Sequence, residues 1–239
     1  MNVKQVMTEL KKLGSTQTVK IYRNHGADGD LFGVKIADLK KILSKIKKQA
    51  DDQQALALEL WDTNNSDAMY LASLAADGSR MTKTQLNRWA KSAWWYMLSE
   101  HAVPFVAAEH KDAFGIGGKW IKSKQAHIAS SGWTTYATAM AVREDEELDL
   151  AEVKELLKVI GSDVHDAPNR VRACMNGFVI GVGSYVSPLL KQAKSTAKRI
   201  GKVEVNVGKT SCKIPLATEA IEKIESMGRV GKKRTSTKC

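Results

Sequence analysis

The sequence predicts an all-α protein, a superhelical stack of antiparallel helix pairs of the α-solenoid kind. Three observations predict it. Apolar residues recur with the 3.6-residue period of an amphipathic helix along almost the whole chain. Only one short segment, Val203 to Val207, alternates with the two-residue period of a strand. The periodic stretches are joined by short connections, which make neighbouring helices antiparallel.

In chain order, Val3, Val6, Met7, Leu10 and Leu13 make the first stripe, and Ile36, Leu39, Ile42, Leu43 and Ile46 the second. Residues 53–61 and 66–76 follow, separated by the turn Thr63-Asn-Asn65. Leu86, Trp89, Ala90, Ala93 and Met97 form a fifth stripe, read as one helix. Further helices are expected near 102–113, 117–122, 125–142, 149–160, 169–185, 188–200 and 215–227. The segment 203–207, between Gly201 and Gly208, reads as a short strand, a local hairpin or an extended loop. At about 40–47 residues per helix pair, the period of HEAT-type repeats, the chain holds roughly five pairs. No strict sequence repeat is visible, so a compact irregular helical bundle is the alternative. The expected organisation is one HEAT-like domain over residues 1–228 and a basic C-terminal tail over 229–239.

At 239 residues the chain is long enough to bury a core without disulfides or metals. Hydrophobic residues at 43% and charged residues at 26% exclude disorder. The N-terminus lacks the apolar run of a secretory signal. The longest uncharged run, Ala173 to Leu190, carries Asn176, three glycines and Pro188, so it reads as a buried helix rather than a membrane span. Cys174, Cys212 and Cys239 are odd in number and widely spaced, which argues for a reducing cytoplasm.

The formal net charge is +11. Residues 191–239 carry 13 Lys and Arg against 4 acids, a net of +9, and the stretch from Gly228 to Cys239 is a basic tail. Such a field favours a polyanion, nucleic acid first; a solubilising tail is the alternative. The run Lys35, Lys40, Lys41, Lys45, Lys47 and Lys48 lies opposite an apolar helix face and reads as solvated.

Chemical motifs are mostly excluded. Gly208-Lys-Thr210 lacks the glycine a P-loop needs five residues earlier, where Val203 stands, and Pro215 follows. Gly181-Val-Gly183 lies in an apolar helical run, not after a strand. The five histidines are scattered without HExxH spacing, and no CxxC occurs, so no metal site and no cofactor are expected.

The segment from Arg88 to Glu100 is more informative. On one helix at about 100° per residue, Trp95 points away from the Leu86/Trp89/Met97 stripe, with Arg88, Lys91 and Ser99 beside it. Bases that hold phosphate around an indole that stacks fit a nucleic-acid surface. A Trp buried against a neighbouring helix is the alternative.

The motifs Phe32-Gly-Val-Lys35, Glu59-Leu-Trp-Asp62, Trp94-Trp95, Ser130-Ser-Gly-Trp133 and Pro168-Asn-Arg-Val-Arg172 resemble the AlkD-like DNA alkylation repair family. Gly201-Lys-Val-Glu-Val205, Thr210-Ser-Cys-Lys213 and Gly228-Arg-Val-Gly-Lys-Lys-Arg234 resemble one bacterial branch of it. The resemblance covers nearly the whole chain. It implies an all-α HEAT-like solenoid with a basic, concave DNA-binding groove, and enzymes that remove cationic N3- and N7-alkylated purines without a metal. In those enzymes a Trp, an Asp four residues later, a downstream Arg and a second Trp do the work. Trp95 matches the first Trp, Ser99 falls on the Asp, Tyr136 on the Arg and Phe178 on the second Trp; Phe178 also lies on the apolar stripe of Val171, Cys174, Met175 and Val182, where a core role is expected.

The resemblance therefore implies a bacterial, nucleoid-associated monomer that binds damaged or branched double-stranded DNA, touches no membrane and excises little. A glycosylase is the alternative, and a helical scaffold for protein or RNA a weaker one. If the protein is an enzyme, Trp95 and Glu100 are the catalytic candidates. The DNA-contact candidates are Arg88, Lys91, Trp95, Ser99, Trp133, Tyr136, Arg170, Arg172, Lys232, Lys233 and Arg234.

Overall fold

The computed structural model describes residues 1–238, and Cys239 lies outside the described residues. Among them the chain is helical or irregular, with no strand. It divides into two compact units, residues 1–110 with 207–211, and residues 111–206 with the chain from 212 onward. No single helix among the described residues is long and apolar enough to cross a membrane.

The first unit holds α1 (Val3–Leu13), α2 (Thr16–Asn24), α3 (Ile36–Gln49), α4 (Gln53–Asp62), α5 (Ser66–Ala75), α6 (Lys83–Ser92), α7 (Tyr96–His101) and α8 (Val103–Ala107). α5 is central: it packs on α1, α3, α4, α7 and α8. Its all-round burial, from Ala68 and Met69 to Leu71 and Ala72, follows from a sequence that is apolar or small on every face. Side chains start these helices, Asn65 from within the turn expected at 63–65. Asn2 and Gln5 form a capping box on α1, Thr82 and Gln85 one on α6. Asp52 and Asn65 accept the first free N–H groups of α4 and α5.

The second unit holds α9 (Ala113–Ile121), α10 (Ala126–Val142), α11 (Leu150–Asp163), α12 (Asn169–Tyr185), α13 (Leu190–Ile200) and α14 (Ala217–Ser226). α10 and α12 are its spine; α9 lies on α10, and α13 and α14 lie on α12. Gly132 explains part of the Ser130-Ser-Gly-Trp133 motif: a Cβ there would run into the backbone of Trp120 and Ile121, so the α9–α10 crossing needs a residue without one. Cys174 and Cys212 carry thiols, the first buried and the second exposed.

Several elements differ from their sequence expectation. The helix expected near 102–113 ends at Ala107, and the one expected near 117–122 already begins at Ala113. α2 has no clear apolar stripe, and its hold is tertiary: the Tyr22 hydroxyl donates to the carbonyl of Val34 (2.8 Å), and the Ser15 N–H donates to that of Gly33 (3.1 Å). The alternating segment 203–207 forms no ladder. Asn206 instead exchanges hydrogen bonds with the Asn169 side chain (2.7 and 2.9 Å). The stripe over 86–97 is not one helix, because α6 ends at Ser92 and α7 begins at Tyr96. At the break the Ser92 hydroxyl bonds back to the carbonyls of Arg88 and Trp89 and accepts from Trp61 Nε1 at 2.8 Å. Trp95 then takes an extended backbone, φ −124° and ψ 150°.

The Phe32-Gly-Val-Lys35 motif also has a structural role. The buried Asp67 carboxylate at the start of α5 accepts the backbone N–H groups of Phe32 (2.6 Å), Gly33 (3.0 Å) and Val34 (2.9 Å). Burial pushes the Asp67 carboxyl above its usual range, although the three N–H donors pull the other way. Burial, with Asp67 nearby, also pushes the Tyr22 phenol up to about 12.

Candidate nucleic-acid interface

Splitting the 86–97 stripe into two helices shifts the register after Ser92; Ala93 stays on the buried side, but Trp95 and Ser99 leave the face expected of them. Trp95 turns inward and is 5% exposed, packed with Ala27 and Leu31. Its indole N–H donates to the carbonyl of His25 (3.0 Å), and its ring lies 5.2 Å from Tyr22 and 5.4 Å from Tyr96. Ser99 and Glu100 are also buried, at 2% and 4% exposed. The outward-facing Trp95 with Ser99 beside it is thus overturned, and the alternative of a Trp packed against its neighbours holds. Glu100 offers no open carboxylate.

Arg88 and Lys91 do stay on the surface. With Thr84, Asn87 and Ser92 they line an open hollow of about 520 Å³ along α6. Every lining side chain carries a hydrogen-bond donor. The spacing 84, 87, 88, 91 is one helix face, so Thr84 and Asn87 were within reach of sequence reasoning but were missed. So was Asp62 at the end of α4. Its carboxylate takes the Arg88 guanidinium in a two-pronged grip, 3.1 and 3.2 Å, with both side chains about half exposed.

The remaining candidates lie in the second unit. Trp133 is buried and meets Phe178 edge-on at 5.2 Å. Tyr136 is buried too; its hydroxyl donates to Glu152 Oε2 (2.8 Å), and burial pushes the phenol above its usual range. These rings fill the core between α10 and α12 and are not surface contacts, contrary to the sequence expectation. Phe178 is a core residue, as its place on the α12 apolar stripe implies. Arg170 and Arg172 are half-buried on the first turn of α12.

The C-terminal segment is docked. The Lys233 ammonium donates to the carbonyls of Tyr185 (2.7 Å) and Met140 (3.1 Å) and to Asp145 (2.7 Å). The N–H groups of Gly231 and Arg234 donate to the carbonyls of Ser184 (2.9 Å) and Ala141 (2.7 Å). All four carbonyls belong to the last turns of α10 and α12, where helices leave acceptors unpaired. A cation there also meets the negative end of both helix dipoles. Lys233 is therefore a clasp on two helix ends, its three donors committed, and not the phosphate contact expected from sequence. Lys232 is exposed. Arg234, half-buried, borders an open cleft of about 460 Å³ floored by Ala137, Gly177 and Gly181.

A family model described as DNA alkylation repair enzyme matches residues 6–199. Two curated relatives are uncharacterized proteins: Lin0241 of Listeria innocua, 39% identical, and Lmo0209 of Listeria monocytogenes, 37% identical. Each alignment spans 92% of this chain and 95% of the relative. A solved structure, 35% identical with a TM-score of 0.89, covers both chains completely. It is described as a new family of proteins related to the HEAT-like repeat DNA glycosylases, with affinity for branched DNA structures. The all-α, HEAT-like fold expected from the helical period is the fold of that protein, and the matched length and its order of motifs place this chain in the DNA alkylation repair enzyme family.

Proposed function

We propose that the protein binds branched or damaged double-stranded DNA as a monomer and excises bases little or not at all. The observation that carries this reading is the polar hollow on α6, where Arg88 and Lys91 stand exposed among hydroxyl and amide donors. Exposed bases fix the phosphate backbone; neutral donors at helical spacing hold register without reading sequence. Family membership and the affinity of the 35% identical protein for branched DNA support the choice of partner.

The weak or absent excision rests on the residues that fall on the family's catalytic positions. Ser99 supplies no negative charge to stabilise the cationic sugar that forms as the glycosidic bond breaks, and Glu100 is buried. Loss of one well-placed electrostatic stabiliser costs about 10²–10³ in rate. Ser99→Asp does not restore the reaction, because at 2% exposure it places a carboxylate in the core.

The test is fluorescence anisotropy on a four-way junction and a linear duplex over a salt series, with an excision assay on alkylated duplex. Wild type is expected to bind the junction more tightly and to release 3-methyladenine and 7-methylguanine at or near the no-protein rate. Arg88→Ala with Lys91→Ala is expected to flatten the log–log salt slope by about 1.8, two phosphate contacts at 0.9 each. Wild-type release well above background, or a slope unchanged in the double variant, overturns the reading.

A further inference from the structure

The first unit carries a second positive face. α3 has five lysines and one acid over Ile36–Gln49, and Lys35 precedes it. Residues 1–50 together carry 11 Lys and Arg against 4 acids, a net of +7. Lys40, Lys41, Lys45, Lys47 and Lys48 are all exposed, opposite the buried Leu39, Ile42 and Ile46. Asp38 pairs with Lys41 (2.7 Å) and Glu9 of α1 with Lys45 (2.8 Å). Lys40, Lys47 and Lys48 have no ion-pair partner among the described residues. The exposed face of α1, which packs on α3, adds Lys4, Lys11 and Lys12.

A face that serves only solubility mixes its signs, because like charges at i,i+3 and i,i+4 destabilise a helix. α11 of the same fold does so: Glu152, Lys154, Glu155 and Lys158 interleave, with a Lys158–Glu155 pair at 2.6 Å. On α3, Lys41–Lys45 and Lys45–Lys48 are like-charged neighbours. Lys47 and Lys48 in the last turn suit the helix dipole, but Lys40, Lys41 and Lys45 have no such reason. Asp38 and Glu9 offset Lys41 and Lys45, so the charge left without an acid partner on this face is that of Lys40, Lys47 and Lys48, and it points to an external polyanion.

This face is not part of the α6 hollow. The lysines of α3 and α1 do not line it; α1 packs on α4, and α4 meets α6 through Trp61 stacked on Trp89 (4.1 Å) and Asp62 paired with Arg88, so α4 lies between the α1 edge of the lysine face and the hollow. Resting on the branched-DNA reading above, we infer that the α3–α1 lysine face holds a second duplex arm of a branched DNA while the α6 hollow holds the first. Two separated cationic faces give a branched substrate contacts that a linear duplex held at α6 lacks, and junction preference follows from counterions released on the second arm.

The test compares wild type, the triple variant Lys40→Gln, Lys47→Gln, Lys48→Gln and a charge-keeping Lys→Arg triple, on a four-way junction and a linear duplex. Gln keeps helix propensity close to that of Lys, and circular dichroism checks the fold. The Gln triple is expected to weaken junction binding about tenfold or more and flatten its salt slope by up to about 2.7. Duplex binding should change less than about twofold, and the Arg triple should match wild type. Equal loss on both DNAs means one duplex runs over both faces, and no loss on either means a solvated face; both overturn the inference. Unchanged DNA binding with lost binding to phosphatidylserine vesicles overturns it in favour of a membrane. Wild type that binds no DNA overturns the branched-DNA reading, and this inference with it; wild type that binds while the Gln triple is unaltered removes the inference alone.

Discussion

Lys233 and Lys47 belong to the two most basic stretches of the chain, and they differ in where the charge goes. The Lys233 ammonium, with a side chain 10% exposed, meets two carbonyls and a carboxylate at 2.7–3.1 Å. Lys47 stands in solvent on α3 with its charge unspent. The stretch with the denser run of bases, Lys232-Lys-Arg234, contributes partly to holding helix ends; the more dilute one on α3 leaves its field outside. Charge density along a sequence therefore measures potential for binding poorly unless the carbonyls and carboxylates that absorb it are known.

The largest expected effect tests the clasp. Lys233→Ala leaves Asp145 and the carbonyls of Met140 and Tyr185 without their shared donor, and should cost about 3 kcal/mol in urea unfolding. Junction affinity of the folded variant should stay within about twofold of wild type. Full stability with a flattened salt slope would reverse the comparison and return Lys233 to the DNA. A smaller effect is expected at the α6 hollow, where Asp62 competes with phosphate for the Arg88 fork. Asp62→Asn frees that fork and should tighten binding by about 1.4- to fivefold, the worth of an exposed ion pair at about 0.2–1 kcal/mol. Weaker binding would place Asp62 as a positioning residue instead of a competitor. The smallest effect belongs to Lys232, exposed beside the clasp. Lys232→Gln should change stability by less than about 0.5 kcal/mol and flatten the salt slope by at most about 0.9. A large stability loss there would mean that the whole tail, and not Lys233 alone, is structural.

The helices whose apolar stripes face one core were legible: α1, α3, α10 and α12 fall within a few residues of their expected bounds. What escaped was set by partners far away in sequence. α2 depends on Tyr22 reaching Val34 and on Ser15 reaching Gly33. The end of α6 depends on Trp61 donating to Ser92 across 31 positions, and no local pattern encodes that. One missed break turned the Trp95 reading over, because a helical wheel carried past Ser92 loses register: Ala93 still falls on the buried side, but Trp95 and Ser99 are assigned to the wrong one. Arg88 and Lys91 precede the break, which is why their exposure was read correctly. Tyr136, Trp133 and Phe178 sit on faces apolar enough to be core, and α10 and α12 bury them between themselves. The family motifs were recognisable, but several mark structural joints: the Asp67 acceptor for Phe32 to Val34, the Gly132 crossing and the Lys233 clasp.

The joint at Asp67 makes a loop behave like a core element. Irregular segments usually exchange their amide hydrogens by small local fluctuations, far below the energy of global opening. The amides of Phe32, Gly33 and Val34 are bound to a carboxylate rooted in the first turn of the buried α5, so they exchange only when Asp67 leaves its site. Deuterium uptake at these three positions will keep pace with α5 and not with the irregular residues that flank them, and the loop between α2 and α3 reports on the integrity of the whole first unit.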